Sequence, residues 1–360
     1  MANELQDQIE QRLSWYYAVL RDQKPAKYLI CKSIGSRKDP STMSNEELWN
    51  EHTLLSRHLV DVWSEAEAST ASLDIQGAVP FSLLDVKVEL LNRILKKCTF
   101  CEWKCKVDRT ENRKGACHMG DETRVATFFR HFGEEPPLVD RKGSGTIFFT
   151  GCTFRCVFCQ NWDISQNPTS GAPVSPSALA LIMKSLRSEG AANINLVGGE
   201  PTPQLHTIME ALRLARVNVP ILWNSNMYLT KEAMEILADV VDIWLPDFKW
   251  GNDKCAVKYS RIIRYFDVVS RNHQIAHETG DIIIRHLLVP GHIDCCTKPI
   301  LEWLAEFCPR GIVNVMGQYR PEYLVASNPK GYPEIARSLT SKELGEAKNY
   351  AEELHLTCVA

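Results

Sequence analysis

The chain has 360 residues, of which 44% are hydrophobic and 24% charged, with a formal net charge of -3. This composition is that of an ordinary globular protein and excludes a disordered or fibrous chain. The length allows one large domain with an appendage, or a few small domains. The near-neutral charge provides no overall basic field, so we expect no nucleic-acid partner.

The N-terminal segment and the cysteine content indicate the compartment. The segment MANELQDQIEQRL lacks the basic, then apolar, then small-residue order of a signal peptide, and the sequence contains no apolar run long enough to cross a membrane. We therefore expect a cytoplasmic protein with no membrane partner. Its 13 cysteines then favour metal or redox chemistry over a disulfide framework, because thiols stay reduced in that compartment.

The first 97 residues are predicted to form a helical N-terminal extension in which no motif carries chemistry. Apolar residues recur every three or four positions near the N-terminus, which is typical of an amphipathic helix. Ser44 and Glu47 have the spacing of a capping box at the start of a second helix. The predicted helices lie at 3–22, from Ser44 onward and from Ser82 to Lys97. The predicted loops between them lie at 23–43 and 66–81.

From about residue 143 onward, short apolar strands alternate with helical segments. Six such βα units predict a parallel sheet with right-handed crossovers, either an open doubly wound sheet or a partial barrel. The strand candidates are Thr146–Thr150, Asn193–Val197, Ile221–Ser225, Val241–Pro246, Ile282–Val289 and Ile312–Met316. The helical candidates lie near 176–189, 203–217, 230–238, 254–264, 297–307 and 341–354. Residues that directly follow the strands are the candidate site residues, because parallel βα folds build their sites at that edge.

A loop with three cysteines follows the first of these strands. It reads GCTFRCVFCQNW over residues 151–162, so Cys152, Cys156 and Cys159 have the spacing C-x3-C-x2-C. Three thiolates can each bind one iron of a cubane and leave the fourth iron without a protein ligand, whereas electron-transfer clusters normally take four cysteines. An open metal position is where chemistry takes place. A structural zinc loop or three unrelated buried cysteines are the alternatives.

This loop resembles the cluster motif of the radical S-adenosylmethionine (SAM) superfamily, which has the same spacing and an aromatic residue before the third cysteine, here Phe158. The resemblance implies an α/β fold with a partial (β/α)6 barrel. It also implies a 4Fe-4S cluster held by Cys152, Cys156 and Cys159, with SAM chelated by the free iron beside Phe158. SAM is then cleaved to a 5′-deoxyadenosyl radical, which requires an electron donor to reduce the cluster.

Polar residues near the ends of later strands extend this prediction. The segment Gly198-Gly199-Glu200-Pro201 resembles the GGEP segment of the superfamily, which contacts the SAM amino group, and two glycines let a backbone approach a ligand closely. Asn224 and Ser225 suit ribose or carboxylate, or cap the next helix. A buried strand should be apolar, so polar residues near the same rim are pocket candidates, although a lone strand histidine is more often a core residue. These remaining cofactor candidates are Asp247, Lys249, Arg285, His286 and, in the C-terminal tail, Gln318.

A second cysteine group lies upstream of the barrel. Cys98, Cys101, Cys105 and Cys117 have the spacing C-x2-C-x3-C-x11-C. Four thiolates form a closed set that suits one iron, one zinc or a second cluster, because soft sulfur sites accept zinc and iron alike. The site is either structural or takes part in electron transfer or substrate orientation. The predicted domains are a helical extension over 1–97, a metal-binding segment over 98–142, and the barrel with its helical tail over 143–360.

The remaining cysteines are expected to be small buried hydrophobic residues. Two of them, Cys295 and Cys296, are adjacent and lie just past the fifth predicted strand, near the presumed site. The full set is Cys31, Cys255, Cys295, Cys296, Cys308 and Cys358.

Further stretches resemble the pyruvate-formate-lyase-activating-enzyme-like group of the superfamily. They lie at 131–137, 143–146, 242–249, 284–287 and 316–321. This resemblance implies a protein or peptide substrate and leaves two functions open. One is a glycyl-radical activase, which takes a hydrogen from a backbone glycine of a partner. The other is a cobalamin-dependent C-methyltransferase that acts on a glutamine of methyl-coenzyme M reductase.

The chain carries more than a barrel, and this favours the methyltransferase. The helical extension, the four-cysteine site and the C-terminal tail are extra layers that can enclose a second cofactor, here cobalamin. The D-x-H-x-x-G signature of the common cobalamin domain is absent, which counts against it. A third function, a non-catalytic iron-sulfur scaffold or redox sensor, is disfavoured because the GGEP segment has no purpose without SAM.

Overall fold

A mixed sheet forms the centre of the computed structural model, which describes residues 2–68 and 79–359. Within these ranges nine strands lie in the order β3-β1-β2-β4-β5-β6-β7-β8-β9. The strands are β1 (Arg124–His131), β2 (Ser144–Phe149), β3 (Ala172–Pro173), β4 (Ile194–Gly198), β5 (Ile221–Ser225), β6 (Ile243–Pro246), β7 (Asp281–Leu287), β8 (Ile312–Met316) and β9 (Thr357–Val359). Strand β2 and strands β4 to β9 are parallel, whereas β1 is antiparallel to both β2 and β3.

Helices cover the outside of this sheet and one end of it. In chain order they are α1 (Ala2–Arg12), α2 (Ser14–Leu20), α3 (Lys27–Ser33), α4 (Asn45–Ala68), α5 (Leu83–Leu95), α6 (Pro136–Val139), α7 (Trp162–Ser165), α8 (Pro176–Ser188), α9 (Leu205–Leu214), α10 (Lys231–Ala238), α11 (Asp253–Ser260), α12 (Tyr265–Thr279), α13 (Lys298–Phe307), α14 (Tyr323–Ser327) and α15 (Ser341–Glu353). Among these described helices, none is long and apolar enough to span a membrane. The predicted capping box at the start of α4 is present, because Ser44 N donates to Glu47 and Glu47 N donates to Ser44 Oγ.

The predicted α/β fold is confirmed, and the six predicted strands are β2 and β4 to β8, each within two residues of its predicted ends. The sheet is not purely parallel, because β1 is antiparallel to both of its neighbours. Strands β1, β3 and β9 were not predicted. Only Val125 of β1 is buried, and Phe128 and Phe129 are exposed, so the strand lacks the alternation that marks a half-buried strand.

Helix α12 was also missed, because polar residues occupy much of its inner face. Ser270, Asn272, His273 and His277 are buried there, which hides the apolar period of the helix. In the N-terminal extension the single predicted helix is interrupted at Leu13 and forms α1 and α2. Helix α3 lies in the predicted loop 23–43, and most of the predicted loop 66–81 falls outside the described residues.

The N-terminal extension closes the end of the barrel where the parallel strands begin. Ile9, Leu13 and Leu20 belong to one buried cluster with interior residues of β5, β6, β7 and β8. Trp15 Nε1 donates to Asp242 Oδ1 over 2.8 Å, just before β6, and Tyr16 N donates to Asp281 Oδ2 over 2.8 Å at the start of β7. The opposite end of the barrel therefore remains open for a site.

Candidate active site at the mouth of the barrel

A cavity of about 430 Å³ lies at the carboxyl ends of the parallel strands. Its volume is that of a small-molecule site. Every residue predicted to bind the cluster or SAM lines this cavity except His286, namely Cys152, Cys156, Phe158, Cys159, Gly198, Gly199, Glu200, Asn224, Ser225, Asp247, Lys249, Arg285 and Gln318. The fold thus brings together residues that are separated by up to half of the chain.

Two of the three cysteines of the loop after β2 have hydroxyl partners, and Cys152 and Cys156 are buried. Cys156 Sγ lies 3.0 Å from Ser260 Oγ, and Cys159 Sγ lies 3.2 Å from Ser165 Oγ. Burial raises the pKa of all three thiols, and the carboxylate of Glu200 adds to this effect at Cys152. A metal that binds here must therefore displace the thiol protons.

The backbone of this loop is fixed by the end of α11. Arg155 N donates to Ser260 O over 3.0 Å, and Val157 N donates to Tyr259 O over 2.8 Å. Cys156 lies between these two bonded residues, so α11 determines the position of its thiol.

The two glycines after β4 allow three backbone segments to meet. Gly198 has φ +130, and a Cβ atom on it would lie 2.1 Å from Phe149 O. A Cβ atom on Gly199 would lie 2.3 Å from Gly151 O, in the cysteine loop. Any side chain at either position would separate β4 from the cysteine loop, which explains the glycine pair.

The carboxylate of Glu200 is bound by protein donors. It accepts hydrogen bonds from Asn226 N over 2.9 Å, from Ser225 Oγ over 2.7 Å and from the hydroxyl of Thr202. Burial raises its pKa, although these hydrogen bonds favour the ionised form. Glu200 thus fixes the loop after β5, which lines the cavity with Asn224, Ser225 and Asn226.

An ion network forms the floor of the cavity around Arg285. Its Nε donates to Asp247 Oδ1 over 2.9 Å, and a second nitrogen donates to Asn224 Oδ1. Lys249 Nζ donates to the other oxygen of Asp247 over 2.6 Å. Burial opposes ionisation of Asp247, but the charges of Arg285 and Lys249 outweigh burial and keep its pKa below the usual value.

Two further residues of the cavity lie at the end of β1 and in the loop after it, and the sequence analysis assigned neither a role. Glu134 accepts from Asn195 Nδ2 and lies 3.4 Å from Arg285 Nη1, and both Glu134 and His131 line the cavity. Burial raises the pKa of Glu134 to about 7, although Arg285 opposes the shift. The stretch HFGEEPP at 131–137 contains both residues and could have indicated them. Its position beside the cavity became evident only from the pairing of β1 with β2.

The prediction that His286 contacts a cofactor is corrected by the structure. Successive residues of a strand point to opposite faces, so His286 faces away from the cavity that Arg285 faces. It is buried against the helix layer, where its ring nitrogens lie 2.7 Å from Phe248 O and 2.9 Å from Thr297 Oγ1. His286 is therefore a core residue with both nitrogens hydrogen-bonded.

The four-cysteine loop lies beside the cysteine loop of the cavity. Trp103 Nε1 donates to Thr153 O over 2.9 Å and joins the two. In the described structure Cys98, Cys101, Cys105 and Cys117 do not line the cavity, and no three of their sulfurs lie within 4.8 Å of one another. The second metal therefore remains a prediction.

Comparisons with known proteins identify the family. Residues 146–304 match the model of the Radical SAM superfamily. A protein of Methanocaldococcus jannaschii, named Uncharacterized protein MJ0674, is 41% identical over 354 residues, which cover 97% of this chain and 99% of that protein. The chain belongs to the radical SAM superfamily. A second protein of the same organism, Uncharacterized protein MJ0808, is 25% identical over 201 residues, 54% of this chain and 59% of its own length.

Similar solved structures include two proteins of different kinds. SuiB of Streptococcus suis, bound to the precursor peptide SuiA, is 14% identical with a TM-score of 0.40, and the match covers 57% of this chain but only 46% of SuiB. TYW1 with a lysine-pyruvate adduct is 13% identical with a TM-score of 0.37 and covers 58% of this chain and 73% of TYW1. Similarity at this level says nothing about the substrate of this radical SAM protein.

Membership of the superfamily implies a 4Fe-4S cluster and SAM as cofactors, and the cavity residues fit both. Three thiols line the cavity, as a cubane with one open iron requires. The glycines at 198 and 199 leave no side chain in that region, and hydrogen-bonding groups of Asn224 and Ser225 line the same cavity. The cavity thus provides both sulfur ligands and polar groups for a charged nucleoside.

Proposed function

We propose that this radical SAM enzyme modifies a protein or peptide, with Cys152, Cys156 and Cys159 as the ligands of its 4Fe-4S cluster. The observation that carries the proposal is that these thiols and the ion network of Arg285 line the same cavity. When bound and reduced, the cluster supplies the electron that breaks SAM to a 5′-deoxyadenosyl radical.

Charge in the floor of the cavity suits the carboxylate of SAM. Lys249 and Arg285 share the carboxylate of Asp247, and Arg285 also lies 3.4 Å from Glu134, so the network carries a net positive charge when Glu134 is protonated. Asn224 and Ser225 offer hydrogen bonds to the ribose or carboxylate. Phe158 and Gln318 complete the lining near the cluster loop.

For the modification itself, we propose cobalamin-dependent C-methylation of a glutamine in methyl-coenzyme M reductase. The support is an aromatic pair at the rim, where the exposed Trp162 and the half-buried Tyr323 stack with their ring centres 5.5 Å apart. Trp162 directly follows Gln160 and Asn161, which line the cavity. A flat aromatic surface suits a large planar cofactor. Helices α1 and α2 lie at the other end of the barrel, so cobalamin would bind against this rim and not against the N-terminal extension.

Activation of a glycyl-radical enzyme is the second candidate. The position of α1 and α2 favours it, because these two added helices pack at the other end of the barrel and do not cover the cavity. A backbone loop of a partner protein could then approach the cavity directly.

One experiment separates the two candidates. The protein is reconstituted anaerobically with iron and sulfide and then incubated with cobalamin, SAM, a strong reductant and a glutamine-containing peptide of the reductase, and products are identified by mass spectrometry. We expect 5′-deoxyadenosine, S-adenosylhomocysteine and a peptide heavier by one CH2 unit. The controls are a peptide with asparagine in place of the glutamine, and the Cys156→Ala variant.

Other outcomes are equally informative. If 5′-deoxyadenosine forms at the same rate with and without cobalamin and the peptide is unchanged, methylation is wrong and activation is favoured. If neither nucleoside forms with fully loaded protein, the assignment of the cavity as the SAM site is wrong.

A further inference from the structure

A second group of metal-ligating side chains lies outside the cavity, behind the aromatic rings that support the cysteine loop. The ligand atoms of Cys255, His292 and Cys295 all lie within 4.8 Å of one another, and among the described residues this is the one such group of three. Cys255 is on α11, and the other two residues lie in the segment after β7. From this geometry we propose a divalent metal site of the zinc class at Cys255, His292 and Cys295.

The imidazole of His292 is oriented as a ligand. Its Nδ1 lies 2.8 Å from Pro290 O, and because a carbonyl only accepts, Nδ1 carries the proton and donates. The lone pair is then on Nε2, which has no hydrogen-bond partner within residues 2–68 and 79–359. A metal-bound histidine commonly donates its other ring N–H to a backbone carbonyl in this way.

The segments that carry the two thiols are held together by Asn252, which is also the N-cap of α11, and by a close approach at Gly251. Asn252 Oδ1 accepts from Cys255 N over 2.9 Å, and Asn252 Nδ2 donates to Cys295 O over 2.7 Å, so one side chain holds both segments. A Cβ atom on Gly251 would lie 2.6 Å from Cys296 O, so only glycine permits this approach. Residues Ile293–Thr297 form a turn of π-helix, an irregularity that often marks functional sites.

The ligand set indicates the type of ion. Two thiolates and an imidazole suit zinc or another borderline-soft divalent ion. Bonds of about 2.3 Å in a tetrahedron place two sulfurs roughly 3.8 Å apart, which small side-chain rotations achieve here. The fourth position is open to Cys296, whose Sγ lies 3.7 Å from Cys295 Sγ, or to solvent beside the exposed Cys295.

The position of the site gives it a structural role. The His292 ring packs edge-on against Trp250 and Tyr259, at 5.6 and 5.0 Å between ring centres. Tyr259 O and Ser260 O accept the backbone N–H groups on either side of Cys156. An ion on Cys255 would therefore tie α11 to the segment after β7 and so stabilise the end of α11 that fixes the cysteine loop.

The test is metal content of the full-length, anaerobically purified protein, with Cys295→Ser as the variant. Cys358→Ser is the matched control, because it removes a thiol of the C-terminal strand β9 in the same protein. Both variants are desalted and their zinc content is measured by elemental mass spectrometry. We expect Cys295→Ser to contain one equivalent of zinc less than the control. Comparison of two variants cancels any zinc bound at the other cysteine groups.

Thiol labelling of the unmutated protein provides a second measurement that does not depend on the folding of a variant. We expect Cys255 and Cys295 to be alkylated at least tenfold faster after a zinc chelator is added, while the labelling of Cys358 stays unchanged. Equal zinc in the two variants, or chelator-independent labelling, would overturn the proposal. So would a protein lighter by two hydrogens with Cys255 joined to Cys295, since that would identify the pair as a disulfide. SAM cleavage is not part of either measurement, so the proposed enzymatic function is tested separately.

Discussion

The two cysteine loops of this protein lie side by side but differ in the charges that act on their thiols. In the cavity loop, Glu200 adds to burial in raising the pKa of Cys152, whereas Lys249 opposes the effect of burial on the pKa of Cys156. In the four-cysteine loop, burial also raises the pKa of Cys117, but the buried guanidinium of Arg109 opposes the shift. The cavity loop thus has an anion beside one thiol and a cation beside another, whereas Cys117 has the cation of Arg109.

The difference extends to the backbone. The four-cysteine loop has hydrogen bonds within itself, from Cys98 N to Val107 O and from Ala116 N to Cys105 Sγ, and it is also bonded to the segment after β5, where Glu102 N donates to Tyr228 O. The cavity loop instead takes its partners from α11 and faces open space. We infer that the cysteines of the cavity loop serve catalysis, because the cavity adjoins them. The cysteines of the four-cysteine loop, which do not line the cavity, serve stability.

The largest expected effect comes from the cavity loop. Cys156→Ala should abolish SAM cleavage, because a cubane needs all three thiolates of this loop. Production of 5′-deoxyadenosine from SAM under strong reductant is the measurement. Cys308→Ala, which removes a buried thiol of the core, is the control and should retain activity. Cleavage that survives in Cys156→Ala would end the assignment of this loop as the cluster site.

A substitution in the four-cysteine loop should lower the stability of the protein. If the four-cysteine loop binds the predicted metal, Cys101→Ala should lose that metal and lower the melting temperature by more than about 5 °C, since binding of a structural metal is folding free energy. The half-buried Cys358→Ala is the control for loss of a thiol. Folded Cys101→Ala with unchanged melting temperature but no turnover would mean that the loop takes part in the reaction.

The floor of the cavity should show a pH dependence that the four-cysteine loop lacks. The pKa of Glu134 is raised to about 7, so the folded state binds more protons than the unfolded state above the ordinary carboxyl pKa. The free energy of unfolding should therefore fall as pH rises through about 7, by on the order of 3 kcal/mol for this group. In urea unfolding, the free energy of unfolding of Glu134→Gln should not show this fall with pH. An identical pH profile for the variant and the unmutated protein would contradict the raised pKa of Glu134.

The smallest expected effect lies at the junction of the loops. Trp103→Phe keeps the ring but removes the hydrogen bond to Thr153 O, which should cost about 1 kcal/mol. SAM cleavage should stay within about twofold, because the junction is not in the cavity. Trp49→Phe on α4 is the control for loss of an indole N–H. A large loss of cleavage in Trp103→Phe alone would show that the two loops act as one unit.

The sequence by itself determined the features that depend on neighbours along the chain. The six strands, the capping box at Ser44 and the cysteine spacings were all readable, because periodicity and short motifs act over a few residues. The residues after the parallel strands could be expected to meet, since the ends of such strands share one edge of the sheet. All but His286 of those predicted for the cluster and SAM do line the cavity.

Only the tertiary structure decided what depends on register or on distant contacts. Arg285 and His286 are equally polar neighbours, and pairing of β7 between β6 and β8 determined which of them faces the cavity. Glu134 entered the site because the unpredicted β1 pairs with β2 and carries its loop to Arg285. Cys255 met His292 because Gly251 lets two segments approach that no local pattern connects. Local propensity carries no information on such contacts, since their free energy comes from packing between segments far apart in the chain.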